Sequence, residues 1–226
     1  MLFALLQPVA LVGLLLGFLA AVAVRAATQA TLTRRLLRHH VGSALPNPRR
    51  DLDPFGALAA ALGGTGWGRQ APLPEAQWRS AQAGRRAAVL AGGPLAAIVL
   101  GLGVLIGYVA AYPESLLLSM SYPSDVLRGF PGPAVEQLWA SAGVALVCFG
   151  VFAFIPLPPL DGWGLLLLAI RRPSDGFQKV RFWLEERNIG VLLLLVFMVL
   201  PLGLSVPLLL GVLNLVVTPL LQAVAG

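Results

Sequence analysis

The chain has 226 residues, 58% of them hydrophobic and only 12% charged. A soluble domain carries about twice that share of charge, so the composition excludes an ordinary soluble enzyme and indicates an integral membrane protein. The net charge of +6 would suit nucleic acid, but its distribution argues against that partner. Ten of the 16 basic residues fall between Arg25 and Arg86, five between Arg171 and Arg187, and only Arg128 lies elsewhere. Loops rich in Arg and Lys stay on the cytoplasmic side. Residues 34–86 and 171–187 are therefore expected there, and 114–136, with three acids and one Arg, on the other side. Fifteen Arg against one Lys hints at a GC-rich bacterial genome, and the expected location is the bacterial inner (plasma) membrane.

The uncharged runs give the predicted elements: Met1 to Val24, Ala87 to Pro113, Gln137 to Leu160, and Asn188 to Gly226. Each reaches the roughly 20 residues that a membrane helix needs. The predicted spans are 2–24, 87–112, 137–160, a short one at 188–200 and a full one at 207–225, with Pro201 and Pro207 dividing the last run. The total stays open between four and six membrane segments. The first run is too long for a signal peptide and lacks its basic start, and its helix should continue through Thr33 or further. Arg34, Arg35, Arg38, His39 and His40 follow, and adjacent histidines on such a segment read as solvated surface or, less simply, as metal ligands. Residues 46–68, dense in Pro and Gly, read as loop and turn, with Trp67 and Trp78 as interfacial anchors. Gly92-Gly93-Pro94 opens the second span with small residues that allow helices to approach closely. Arg171 to Arg187 reads as a cytoplasmic loop with a short amphipathic helix. A lone cysteine, Cys148, excludes an internal disulfide and reads as a packing residue.

The third run ends in Pro156-Leu157-Pro158-Pro159-Leu160-Asp161-Gly162. Proline removes a backbone donor and stops a helix. Irregular backbone at membrane depth is tolerated only where protein or a wet cavity surrounds it. An ionisable residue at such a break is a functional-site candidate. Asp161 also has a plainer reading, as the cap of the helix that follows.

Three landmarks together resemble the site-2 protease family of intramembrane zinc metalloproteases, in its compact bacterial form. They are Asn47-Pro48 through Leu52-Asp53-Pro54-Phe55-Gly56, then Gly66-Trp67-Gly68-Arg69, and the proline motif ending at Asp161-Gly162. The resemblance implies an all-α polytopic membrane protein with a site-2 protease-like helix core and a proline-broken span. It also implies a metal site, in which a His-Glu-x-x-His on the first span and the Asp of the proline motif hold zinc and the Glu activates water. Here the sequence departs from the family. At the first-span position stand Arg25-Ala26-Ala27-Thr28-Gln29-Ala30, so Arg25 replaces the first His, Ala26 the Glu and Gln29 the second His. The family's Gly-Pro-x-x-Asn reads Gly93-Pro94-Leu95-Ala96-Ala97, with Ala97 for Asn, and the Asn before the proline motif corresponds to Ala153. Asp161 alone survives, and one carboxylate does not hold a catalytic zinc.

The expectation is a catalytically inactive pseudoprotease that binds no cofactor. Its partners would be membrane lipid and the transmembrane segment of a partner protein or an active relative, and it would regulate or bind that partner. Gly93, Pro94, Ala97, Ala153, Pro156, Pro158, Pro159 and Gly162 would shape its groove. Two other classes stay open: an active zinc protease with an unrecognised metal site, and a small transporter or channel subunit. Serine or cysteine chemistry has no support, since no His lies within a span to activate Ser141 or Cys148. In place of the metal, an Arg25–Asp161 ion pair is expected, with Gln29 as a further donor. A carboxylate inside a membrane needs such a partner, and Arg offers it two parallel hydrogen bonds.

Overall fold

The computed structural model describes residues 1–38, 47–70, 75–170, 172–201 and 206–226. Among them the regular elements are helical, apart from one isolated antiparallel bridge between Leu52 and Gly68. Four of these helices are long and apolar enough to cross a bilayer, so the chain is an all-α polytopic membrane protein.

A short 3-10 turn over Leu2–Leu6 leads into α1, Pro8–Leu37. The helix starts at Pro8 and not at Leu2, because a proline ring clashes with a helical turn before it but suits the first helical position. It then runs 30 residues, about 45 Å, into the basic cluster. Three short helices follow, α2 (Pro48–Asp51), α3 (Pro54–Gly63) and α4 (Glu75–Ser80), before α5, Ala83–Ala111. Beyond α5 come α6 (Leu117–Met120), α7 (Pro123–Arg128) and α8, Ala134–Phe152. After the proline motif stand α9 (Asp161–Ala169), α10 (Asp175–Glu185), α11 (Ile189–Val199) and α12, Leu208–Ala225.

The core is a bundle of α1, α5 and α8, each packed on the other two. Its axis is α8, the most buried of the long apolar helices: 67% of its apolar stretch is buried, against 44% for α1, 39% for α5 and 28% for α12. Lipid tails are as apolar as leucine, so helices in a bilayer associate through close packing of small residues. Gly13 and Gly17, one turn apart on α1, provide it. A Cβ on either would lie 2.5 Å from a backbone oxygen of α8, that of Leu138 or of Ala142.

Residues 46–68 were expected as loop and turn; of these, 47–68 are described, and they fold otherwise. Asp53 caps α3, accepting a hydrogen bond from the Gly56 amide at 2.9 Å, with Pro54 at the first helical position. The alanine-rich face of α3 buries Ala59 and Ala60. The helix packs on α11 and on the 3-10 turn until Gly64, in the left-handed region, turns against Leu127 of α7. The chain then returns as an irregular segment, with Gly56 and Gly66 backbone to backbone, to the Leu52–Gly68 bridge beside Val22. This uncharged hairpin therefore enters the bundle from the basic end and reaches the end where α7 lies. Trp67, expected as an interfacial anchor, is 3% exposed and stacks on Phe152 at 6.2 Å. Trp78, by contrast, is half-buried under the Arg86 guanidinium.

Candidate functional site

The third span was expected to extend to Leu160, but α8 stops at Phe152. Residues 153–160 form a compact turn that satisfies its own backbone. The Gly162 amide donates to the Ala153 carbonyl at 2.8 Å, Leu157 to Ile155 at 2.8 Å and Leu160 to Leu157 at 2.9 Å. The Pro158–Pro159 peptide is cis. Gly162 has no room for a side chain, since a Cβ would meet the Phe154 carbonyl. Pro158 packs on Gly190 at the start of α11. The turn thus fixes where α9 begins and delivers Asp161 to the centre of the fold.

Asp161 does not cap α9. The N-cap is Leu160, without a side-chain hydrogen bond, and the Asp161 carboxylate points across to α1. Arg25 donates to it through two nitrogens, Nε to Oδ2 at 2.6 Å and Nη2 to Oδ1 at 2.7 Å. Gln29, one helical turn on, donates Nε2 to Oδ1 at 3.0 Å. The third guanidinium nitrogen, Nη1, donates to the Arg69 carbonyl at 3.1 Å. Arg25, Gln29 and Asp161 are each 3–4% exposed. Both carboxylate oxygens and all three guanidinium nitrogens are therefore engaged, which is what a buried charge pair requires to offset its desolvation. The start of α9 adds a favourable field for an anion.

The returning segment of the hairpin lies across this cluster. The Arg69 amide donates to the Asp51 carbonyl at 2.7 Å, and Gln70 Nε2 donates to the Pro159 carbonyl at 2.6 Å. Asp51 itself accepts from Arg50 at 2.6 Å and from the Asn47 amide at 2.8 Å. Burial pushes its carboxyl up, but the Arg50 bond, the Asn47 amide and the nearby Arg50 and Arg25 charges outweigh this and hold it below the usual value. The hairpin, the proline turn and α1 thus meet at one charged seam.

The small residues singled out from the sequence serve helix packing. Gly93 faces the cluster, where a Cβ would come 2.8 Å from Arg25 Cγ and 3.0 Å from Gln29 Cγ. Gly150 of α8 fits against the Pro94 carbonyl, and Ala97 and Ala153 are 0% and 4% exposed. Within the motif Pro158 and Leu160 are buried, Leu157 and Pro159 half-buried and Pro156 exposed. Ala26 is half-buried. Ser141 and Cys148 are fully enclosed in α8. His39 and His40 lie outside the described residues, and among the described residues no three His, Cys, Asp or Glu side chains gather as a metal site would require.

Sequence reasoning passed over two participants, the Arg69 carbonyl and the Gln70 side chain. A backbone acceptor leaves no mark in a sequence, and Gln70 is distinguished only by following Gly66-Trp67-Gly68-Arg69.

The cluster also sets the depth of the site. Gly93 precedes the end of α5 at Ala111 by 18 residues, about 27 Å at 1.5 Å per residue. A bilayer's hydrocarbon core is about 30 Å thick. Arg25 and Asp161 therefore sit toward the basic end of the spans rather than at their middle.

No family model matches the sequence, and no solved structure matches it. A curated protein of Bacillus subtilis (strain 168), named "Putative zinc metalloprotease YwhC", is 29% identical over 162 residues. That match takes in 70% of this chain and 65% of the Bacillus protein, so the chain spans somewhat less than two thirds of its relative's length. In sequence, the chain is metalloprotease-like.

Proposed function

We propose that this protein is a catalytically inactive member of the site-2 protease family, which binds the transmembrane segment of a partner or of an active relative without cleaving it. The observation that carries this reading is the full engagement of Asp161 by Arg25 and Gln29. A guanidinium has no lone pair for a metal and stays protonated in proteins. It also takes up the carboxylate oxygens that a metal would use. The donor set does not fit zinc, which is held by Cys, His or carboxylate ligands. Ala26, standing where a base would be needed, has no proton acceptor. A charge pair instead links α1 to the proline turn, so the helix core keeps its form with a protein cation where a metal would otherwise sit.

The name of the Bacillus protein favours a second reading, an active zinc protease. It would need metal ligands from other positions, and the histidines available in the sequence are His39 and His40. They follow Arg25 by 14 and 15 residues, about 20 Å if the helix continued to them.

Binding without cleavage has a direct test. A photoreactive side chain at the exposed Pro156 or the half-buried Leu157 should crosslink a membrane protein of constant size in native membranes, and that partner should remain intact. Leu160 is unsuitable, being 1% exposed. Adducts with lipid alone would refute partner binding, and a cleaved partner that becomes intact on Asp161→Asn would favour the protease.

A further inference from the structure

Among the described residues at the basic end, the helix α10, Asp175–Glu185, presents a large exposed apolar face. Phe177 and Leu184 turn inward and are half-buried, and none of its residues is fully buried. Val180 and Trp183 turn outward and are 52% and 54% exposed. Together these four form an apolar arc at helical spacing. The arc is too wide for the protein to cover, and its outer half stays about half exposed, with the Arg187 guanidinium over the Trp183 ring.

What seats the inner half is specific. Phe177 stacks on Trp163 at 6.1 Å, and the Trp163 indole donates to Glu185 at 2.6 Å. Trp163 stands two residues after Asp161, in the first turn of α9. The helix therefore rests beside the charged seam, about 27 Å along α5 from the opposite end of the bundle. That is the level at which a hydrocarbon core of about 30 Å gives way to headgroups.

The charges around the helix are net positive, with the exposed Asp175 and Glu186 among them. Residues 171–187 carry five basic side chains against three acidic ones. Arg181 is paired with Glu185 at 2.9 Å, which leaves Glu185 no excess charge toward the outside. Arg187 lies over the faces of Trp183 and Phe182, at 5.8 and 6.0 Å, and Lys179 is exposed one position before Val180. A helix with aromatic and aliphatic residues on one side and Lys or Arg beside them lies in the plane of a bilayer surface. Basic residues next to it draw it to anionic lipid.

We infer that α10 is an interfacial helix that docks on the anionic phospholipid of the leaflet at the basic end. Val180 and Trp183 would enter the headgroup boundary, and Lys179 and Arg187 would meet phosphate groups. This rests on the membrane assignment alone and is independent of whether the chain cleaves peptides. Because α10 holds Trp163, the lipid surface would also steady the start of α9, where Asp161 stands.

The test uses the full chain in vesicles, with a spin label on Val180→Cys in a Cys148→Ala background. Collision with oxygen, which concentrates in lipid, is compared with collision with a water-soluble nickel chelate. A label at exposed Gly84, in the first turn of α5 beside Arg85 and Arg86, serves as the reference. In vesicles containing phosphatidylglycerol the label at 180 should collide mainly with oxygen. Its nickel accessibility should rise when that lipid is replaced by phosphatidylcholine, and this difference should vanish in Lys179→Glu/Arg187→Glu. Nickel accessibility matching the Gly84 reference in both lipids would overturn the inference. So would a lipid-buried label indifferent to anionic lipid, or one shielded from both reagents, which would indicate a second copy or a protein partner on that face.

Discussion

Arg25 and Asp161 carry the chemistry at the scale of single residues. Removing one partner of a buried pair leaves the other charge uncompensated, at a cost of about 3–5 kcal/mol. Arg25→Ala should therefore lower the thermal stability of the purified protein strongly, and Asp161→Ala should do so too. The double variant should recover part of the loss, since no orphan charge remains. Arg25→Lys should also be destabilising, because an ammonium cannot make both parallel bonds while reaching the Arg69 carbonyl. Thermal unfolding in one detergent would read all four, and strictly additive losses would mean that the two side chains act independently. The pairing was legible in the sequence from a resemblance and a principle: the resemblance implies that the two positions lie together, and a membrane carboxylate needs a partner. The Nη1 contact to Arg69 was not legible, because the acceptor is backbone.

At the scale of elements, the hairpin of α3 and its returning segment departs furthest from expectation. Its flanks, Arg49, Arg50, Asp51 and Asp53 on one side and Arg69 on the other, mark it as a loop on the basic side. The 15 uncharged residues between Asp53 and Arg69 are too few to cross a bilayer, so a search for spans passes over them. Folded as a hairpin, however, they need only go in and come back. Pro54 and the left-handed Gly64 set the two ends of the helix, and Ala57 to Ala61 let it lie close to its neighbours. A cysteine at Leu58, 47% exposed on this hairpin, should resist a water-soluble maleimide in intact vesicles and in vesicles opened by freeze–thaw. A cysteine at Gly84 should react once the basic face is reached. Equal labelling of both by the water-soluble reagent would remove the hairpin from the membrane. The proline motif was more readable: three prolines in four positions leave no choice but a break, although where α8 ends depends on the turn closing through the Ala153 carbonyl.

For the molecule as a whole, composition alone gave the class. A chain with 12% charge has too little polar surface for water, and its long apolar helices are the bundle that the structure contains. What composition could not give is that three helices form the core while α9 and α11 reach only part of its depth. Short apolar segments look alike in sequence whether they cross, turn back or lie flat. The central proposal for this molecule is that the Arg25 guanidinium, paired with Asp161, stands in place of a bound metal. Metal analysis tests it most directly, on full-length protein purified from zinc-supplied cells beside Asp161→Ala. The two should carry the same background level of zinc, with no stoichiometric metal in either. One zinc per chain in the unmodified protein, lost on Asp161→Ala, would contradict the claim and make Asp161 a ligand.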